Sequence, residues 1–311
     1  MPPLVPNHSH FYIQEPHLNV RSSSMLPVPT HIERLESELG QSSSSGSGLF
    51  ARVQIAPLVE GRLPIPANAT HVMMEIGCSD VRTMDVSALP REPKGFLVSF
   101  EPLLDKYAIL LARGTARFHG EQSQDAAVPL AMHHPRGMVL PLAVSPTGGP
   151  LRFNVGRAAG CSSMLNITHH AAWGRWCEQL LERREVPSIT LETAIGLVGE
   201  TPISHLKIDA QGADFALLRG TDPSVLRRHV RRIEVEVRHH TCGSLYEGQP
   251  SCDTVSAYMA SIGYRHANRC PMGLNETTRK PLYVRRRFTT ESRLSHSCET
   301  MAYFVRDRGL E

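Results

Sequence analysis

From Leu49 onward, short apolar runs alternate with stretches of helical period. The runs predict strands at Val72–Ile76, Phe96–Phe100, Val139–Val144, Leu206–Asp209, Ile233–Val237 and Ala302–Val305. They are rich in Val, Ile and Leu with little polar alternation, the pattern of strands covered on both faces. Strand alternating with helix argues for βαβ units, and so for an α/β fold with a doubly wound, mostly parallel sheet. After Thr168, residues Trp173, Trp176, Cys177, Leu180 and Leu181 recur at i, i+3, i+4, i+7 and i+8. That spacing predicts an amphipathic helix with both tryptophans turned to the core. A second helix is expected from Asp214 to about Arg228, and a third over Thr254–Ile262, which Gly263 would stop.

Alternation also places Lys207 and Asp209 on one face of the fourth strand, opposite Leu206 and Ile208. A charge inside a buried strand needs a partner. Lys207 is therefore expected to pair with Glu234 or Glu236, which alternate on the neighbouring strand.

The first 48 residues read differently. Six prolines fall within the first thirty positions, and residues 41–48 are a Ser/Gly linker. Between them Thr30 to Glu33 forms a capping-box pattern, followed by Ile32, Leu35 and Leu39 on one helical face. The chain thus divides into a flexible extension with a short helix, 1–48, and an α/β body, 49–311.

Composition narrows the function classes. A hydrophobic fraction of 41% with 20% charged residues makes the chain globular rather than disordered. Thirty-three basic against thirty acidic residues leave a net charge of +3, which suggests no nucleic-acid partner. The basic stretch Arg279-Lys280 and Arg285 to Arg287 has few interleaved aromatics and reads as a solvated hairpin or a rim for an anionic substrate. No run of eighteen apolar residues is present, so no membrane span is expected, and the first twenty residues show neither the basic start nor the apolar block of a signal peptide. Seven cysteines, an odd number without a CxxC pair, favour reduced thiols in a cytoplasmic protein. Cys242, Cys252, Cys270 and Cys298, near His239 and His240, are the exception to watch, as disulfides or as ligands of a metal-assisted hydrolase. Asn68, Asn166 and Asn275 each open an Asn-x-Thr sequon, which has meaning only on a secretory route.

In an open α/β sheet, ligands bind beyond the carboxyl ends of the strands. The first strand ends in Glu75, followed by Gly77 and Ser79; the second ends in Glu101, and the third region in Ser145. An acid and a glycine after the first strand, with an acid ending the second, is a nucleoside-binding arrangement. The glycine admits the ligand to the backbone, and the carboxylate takes ribose hydroxyls. Glu75, Gly77, Ser79, Glu101 and Ser145 are the candidate cofactor residues. No G-x-G-x-x-G follows Gly77, so no loop cradles a pyrophosphate, and S-adenosyl-L-methionine fits better than a dinucleotide. Asp209, ending the fourth strand, is the first candidate for orienting an acceptor and taking its proton; its other reading is an N-cap of the next helix. His239 and His240, after the fifth strand, are further candidates for the base, and no metal site is assigned.

Several segments together resemble the FkbM-type methyltransferases. They are Val186 to Glu192, Ile203 to Asp214 (I-S-H-L-K-I-D-A-Q-G-A-D) and Leu217 to Gly220, with Phe100-Glu101-Pro102, Ala143-Val144-Ser145 and Ser162-Ser163 in the family's order. The likeness spans roughly residues 70–308. It implies a class I Rossmann-like methyltransferase domain that moves a methyl group from S-adenosyl-L-methionine to a hydroxyl of a small molecule or sugar. Two loops depart from the family pattern: Val81 stands where it has a second glycine, and Gln211 where it has a glutamate. These departures motivate a rival reading, a non-catalytic methyltransferase-like scaffold.

Overall fold

The computed structural model describes residues 58–79, 83–112, 136–158, 160–168, 174–278, 280 and 298–307. The extension 1–48, Val81, Trp173 and the basic residues Arg279 and Arg285 to Arg287 lie outside the described residues.

The body is built on a sheet of seven strands. In chain order its members are β1 (His71–Ile76), β2 (Gly95–Phe100), β3 (Gly137–Leu140), β7 (Ile203–Ile208), β8 (Arg232–Arg238), β9 (Tyr264–His266) and β10 (Glu299–Arg306). Across the sheet they run β3-β2-β1-β7-β8-β10-β9. Pairing is parallel from β3 to β8, and β10 runs antiparallel to both neighbours. The expected doubly wound, mostly parallel sheet is what the chain forms. Strand order reverses between β1 and β7, and the crevice beyond their carboxyl ends is where such a sheet binds its ligand.

The continuous apolar runs follow from burial on both faces. Val72, Met74 and Ile76 of β1 point into the main core with Leu206 and Ile208, while Met73 packs on the other face with Leu97 and Val139. All of these are at most 3% exposed, so the sheet carries a layer on each side.

Helices α1 (Met84–Ser87), α2 (Leu104–Ala112), α3 (Leu191–Gly196), α4 (Asp214–Arg219), α5 (Pro223–His229) and α6 (Cys252–Ser261) connect the strands. The single helix expected from Asp214 is two. Gly220 ends α4, then Pro223 in its first turn and the Asp222 side chain, accepting from the Ser224 amide at 2.7 Å, start α5.

The helix predicted around the tryptophans does not form. Only Arg175–Cys177 makes a short 3-10 turn, and Leu180–Ile189 is strand β6. Trp176 is 41% exposed and Leu181 63% exposed, so the helical spacing marks no core face. Strand β6 lies at the centre of a second sheet, β4 (Ala143–Val144), β6 and β5 (Gly149–Gly156), where β5 pairs with it antiparallel. Cross-strand pairing and a disulfide fix this segment, and its periodicity loses.

The thiols are not reduced. Cys161–Cys177, Cys242–Cys298 and Cys252–Cys270 are disulfide-bonded, and Cys78 alone is free. Cysteines far apart in sequence met in space, which spacing could not show, and the expectation of a cytoplasmic protein loses its ground. Cys252, His266 and Cys270 bring donor atoms within 4.8 Å of one another, yet the two sulfurs are bonded to each other and offer no thiolate.

Candidate active site

A cavity of about 360 Å³ opens at the strand-order reversal, against the ends of β1, β2 and β7. Gly77, Ser79, Glu101, Lys106, Lys207 and Asp209 supply its polar groups, and Phe100, Leu142, Phe153 and Met164 its apolar wall.

Gly77 is required by the close approach of two strand ends. Its φ is 74°, and a Cβ there would lie 2.1 Å from the Asp209 carbonyl oxygen. The left-handed turn sends the chain toward Ser79, whose amide donates to Glu101 Oε2 at 2.7 Å. The Leu103 amide donates to Glu101 Oε1 at 2.9 Å. Each carboxylate oxygen therefore keeps accepting capacity for a ligand hydroxyl. Burial pushes the Glu101 carboxyl up to about 7, against the pull of the Leu103 amide and Lys106. Lys106 Nζ donates to Ser79 Oγ at 2.7 Å and closes this side.

Glu75 is placed otherwise. It is fully buried, its Oε1 sits 2.9 Å from Lys207 Nζ, and its Oε2 accepts from the Met84 amide at 3.0 Å. It props the cavity without lining it. Lys207 was expected to pair with Glu234 or Glu236; it pairs with Glu75, directly across from it in the β1–β7 register. Glu234 instead meets His205 at 2.8 Å. Burial alone would lower the Lys207 pKa, but Glu75 and then Asp209 hold it above the ordinary lysine range.

Asp209 stands at the cavity beyond β7. Lys207 Nζ lies 3.9 Å from its Oδ2, and Gln211 Nε2 donates to its Oδ1 at 2.7 Å. It does not cap α4. The N-cap position is Ala213, which makes no side-chain cap bond, and Asp214, the first helical residue, accepts from the preceding Ala210 amide at 3.3 Å and Gly212 amide at 3.1 Å, fixing the turn before the helix. Burial, with the Asp209 charge nearby, pushes the Asp214 carboxyl up to about 7.

Gln211 has φ 50°, and its amide is used at both ends. Besides donating to Asp209 it accepts from the buried Tyr246 hydroxyl at 2.8 Å. A glutamate could not make both bonds while ionised, because a carboxylate has no donor. Glu236 and Glu299 lie near Tyr246, and burial first, then the charges of Asp209 and Asp214, pushes the Glu299 carboxyl to about 8. A neutral amide beside this acidic group avoids adding another charge. The family departure at Gln211 is thus accommodated by its surroundings.

One wall comes from distant loops. Ser163 Oγ donates to the Gln211 carbonyl at 2.7 Å, and Ile167 bridges to Tyr246. The disulfides Cys161–Cys177 and Cys242–Cys298 belong to the same satellite core as Leu245 and Tyr246.

Besides Glu75, three candidates fall outside the cavity lining. Ser145 is buried and binds Ser188 Oγ at 2.8 Å and the Gly148 amide at 2.9 Å, anchoring the β4–β5 turn. His239 packs its Nδ1 2.8 Å from Thr241 Oγ1 and stacks on His240 at 4.2 Å, and His240 faces Asp253 at 3.6 Å. Sequence reasoning missed Lys106 and Tyr246 as site residues. Neither sits at a strand end, and no local pattern marks them.

A model of the methyltransferase FkbM domain matches residues 71–266. No curated protein matches the sequence. Among solved structures, the 16S rRNA methyltransferase KamB is 12% identical, with 77% of this chain and 90% of that chain covered at a TM-score of 0.33. The antibiotic-resistance methyltransferase Kmr is 10% identical, with 77% and 89% covered at 0.34. The 16S rRNA (adenine(1408)-N(1))-methyltransferase from Catenulisporales acidiphilia is 12% identical, with 78% and 90% covered at 0.33. The sequence led to the expectation of a small-molecule or sugar substrate and no nucleic-acid partner, whereas these structural neighbours are rRNA methyltransferases. A net charge of +3 does not by itself exclude a nucleic-acid partner. Among the described residues no helix is long and apolar enough to cross a membrane.

Proposed function

This chain belongs to the FkbM methyltransferase family, and on that premise we propose that it moves a methyl group from S-adenosyl-L-methionine to a hydroxyl oxygen held against Asp209. The observation that carries the reading is one carboxylate, Asp209, standing at the cavity beside the Gly77 turn, its Oδ1 fixed by Gln211 at 2.7 Å.

The residues present fit the cofactor. Glu101 has free accepting capacity for ribose hydroxyls, the Gly77 turn lines the cavity beside it, and Phe100 and Leu142 offer an apolar face to a base. When bound, S-adenosyl-L-methionine supplies a methyl group already activated on sulfonium. The chain's own residues position and deprotonate. Asp209 accepts a hydrogen bond from the acceptor hydroxyl, draws off its proton at a carboxylate oxygen and holds the oxygen for attack. Lys207 Nζ lies 3.9 Å from Asp209 Oδ2 and places a positive charge beside the carboxylate. Gln211 fixes the carboxylate plane, and Tyr246 fixes Gln211.

Calorimetric titration with S-adenosylhomocysteine tests the first half of the reading. Micromolar binding that weakens in Glu101→Gln is expected, and no binding at millimolar ligand would refute it. Transfer of labelled methyl to a hydroxylated acceptor, lost in Asp209→Asn, tests the second half.

A further inference from the structure

Six of the seven cysteines are joined in three disulfides that tie together separate parts of the chain, and the seventh, Cys78, is buried. Disulfides persist in oxidising compartments and are rare where glutathione and thioredoxin keep thiols reduced. An oxidising lumen gives meaning to a motif the methyl-transfer reading leaves unused, the three Asn-x-Thr sequons.

The structure separates the three. Asn166 lies in the wall beside the cavity, where its amide donates to Glu247 Oε2 at 3.0 Å and its oxygen accepts from Asn154 Nδ2 at 3.4 Å. A sugar on that nitrogen would break the contact to Glu247. Asn275 is half-buried, and its Oδ1 accepts from the Thr277 amide at 3.1 Å and the Thr278 amide at 2.7 Å. Asn68 is different. It is exposed in the turn closed by the Ala69 amide on the Pro66 carbonyl at 2.9 Å, and its side chain makes no hydrogen bond among the described residues. Thr70, the sequon's hydroxyl, is exposed as well. The turn precedes β1, so the length of that strand, roughly 20 Å at about 3.3 Å per residue, separates Asn68 from the Gly77 turn. A large substituent there leaves the cavity mouth clear.

We propose that the chain matures in an oxidising, glycosylating lumen and that Asn68 is the acceptor of an N-linked oligosaccharide there. The donor is an oligosaccharide on a polyprenyl diphosphate. A bond forms between Asn68 Nδ2 and C1 of the first sugar, and the C1–O bond to the diphosphate breaks with its electron pair leaving on oxygen. One Nδ2 proton passes to a base of the transferring enzyme. Each disulfide forms separately, as a thiol pair gives two electrons and two protons to a disulfide-exchange partner.

The test uses full-length protein isolated from the cells that make it. Denatured without reductant, it should take one maleimide, at Cys78, and seven after reduction. Peptide-N-glycosidase should raise its mobility and release the Asn68 peptide with the asparagine deamidated. Seven reactive thiols before reduction, or an unmodified Asn68 peptide, overturn the proposal. The Asn68→Gln variant should lose the mobility shift and keep its methyl-transfer rate, because the site lies at the far end of the sheet. A shift that persists unchanged in that variant also overturns the assignment to Asn68.

Discussion

The two halves of the cavity are built by different means. On the side proposed for the nucleoside, Gly77, Ser79 and Glu101 sit at the ends of adjacent parallel strands, and backbone amides from the same turns hold the carboxylate in place. On the side proposed for the acceptor, Asp209 also stands at a strand end, but what fixes it comes from loops far apart in the chain. Gln211 leads to Tyr246, and Ser163 reaches over Gln211 from a loop closed by a disulfide. Strand ends and their adjoining turns hold the first half, whereas the loops behind the second are cross-linked by disulfides. A scaffold can therefore keep its common ligand while its loops change the acceptor.

The largest effect that tests this division is expected at Asp209. Asp209→Asn keeps the size and removes the base, so turnover should fall by roughly two to four orders of magnitude. S-adenosylhomocysteine affinity, measured by calorimetry, should change little; a parallel collapse of both would show the halves to be one site.

Gln211→Glu should come next. It exchanges the donor to Asp209 for a second charge, at a cost of about 1.5–3 kcal/mol for a hydrogen bond to a charged group. That predicts a fall in turnover of roughly ten- to hundredfold, with nucleoside affinity retained. A variant as active as the parent would show that Gln211 does not position the carboxylate.

Glu101→Gln should act on the other half and weaken S-adenosylhomocysteine binding about tenfold, or 1.4 kcal/mol. The ionised carboxylate is the better acceptor, and Glu101 titrates at about 7. Affinity should accordingly rise about fivefold between pH 6 and pH 8, and titrations at both values check this.

Stability should move the opposite way. Glu101 and Asp214 at about 7, and Glu299 at about 8, all lie above their values of 3.8 to 4.5 in the unfolded chain. Between those limits the folded state holds protons that the unfolded state has released, so stability falls as pH rises through the window. The urea midpoint should be higher near pH 5.5 than near pH 8.5. The smallest effect is expected from removing residues 1–48: a chain beginning at Leu49 should melt within a few degrees of the whole one, since the extension's composition buries little.

What the sequence showed depended on how locally each feature is determined. The parallel strands were legible because burial on both faces leaves a continuous apolar run, and strand ends place Gly77, Glu101 and Asp209 at the cavity by alternation alone. The segment after Thr168 misled because an i, i+3, i+4 spacing of Trp and Leu carries no information about the β5–β6 pairing that overrides it. Lys207 was assigned a partner on the wrong side because alternation gives the face of a strand but not which neighbour reaches the charge first. Ser145, His239 and His240 follow strands as the cavity-lining residues do, yet Ser145 and His239 bond within turns and His240 faces Asp253. Tyr246 and the disulfide pairs arise only from the meeting of distant loops.

Gly77 has no side chain where a methyl group would lie 2.1 Å from the Asp209 carbonyl oxygen. The turn proposed to meet the nucleoside and the residue proposed to meet the acceptor are therefore in backbone contact, with no soft side chain between them to absorb a displacement. Such a junction makes occupancy of one pocket a perturbation of the other. Linkage then requires that whatever factor a nucleoside imposes on acceptor affinity, the acceptor imposes on the nucleoside, so any cooperativity between the two would pass through a contact that exists because one carbon atom is absent.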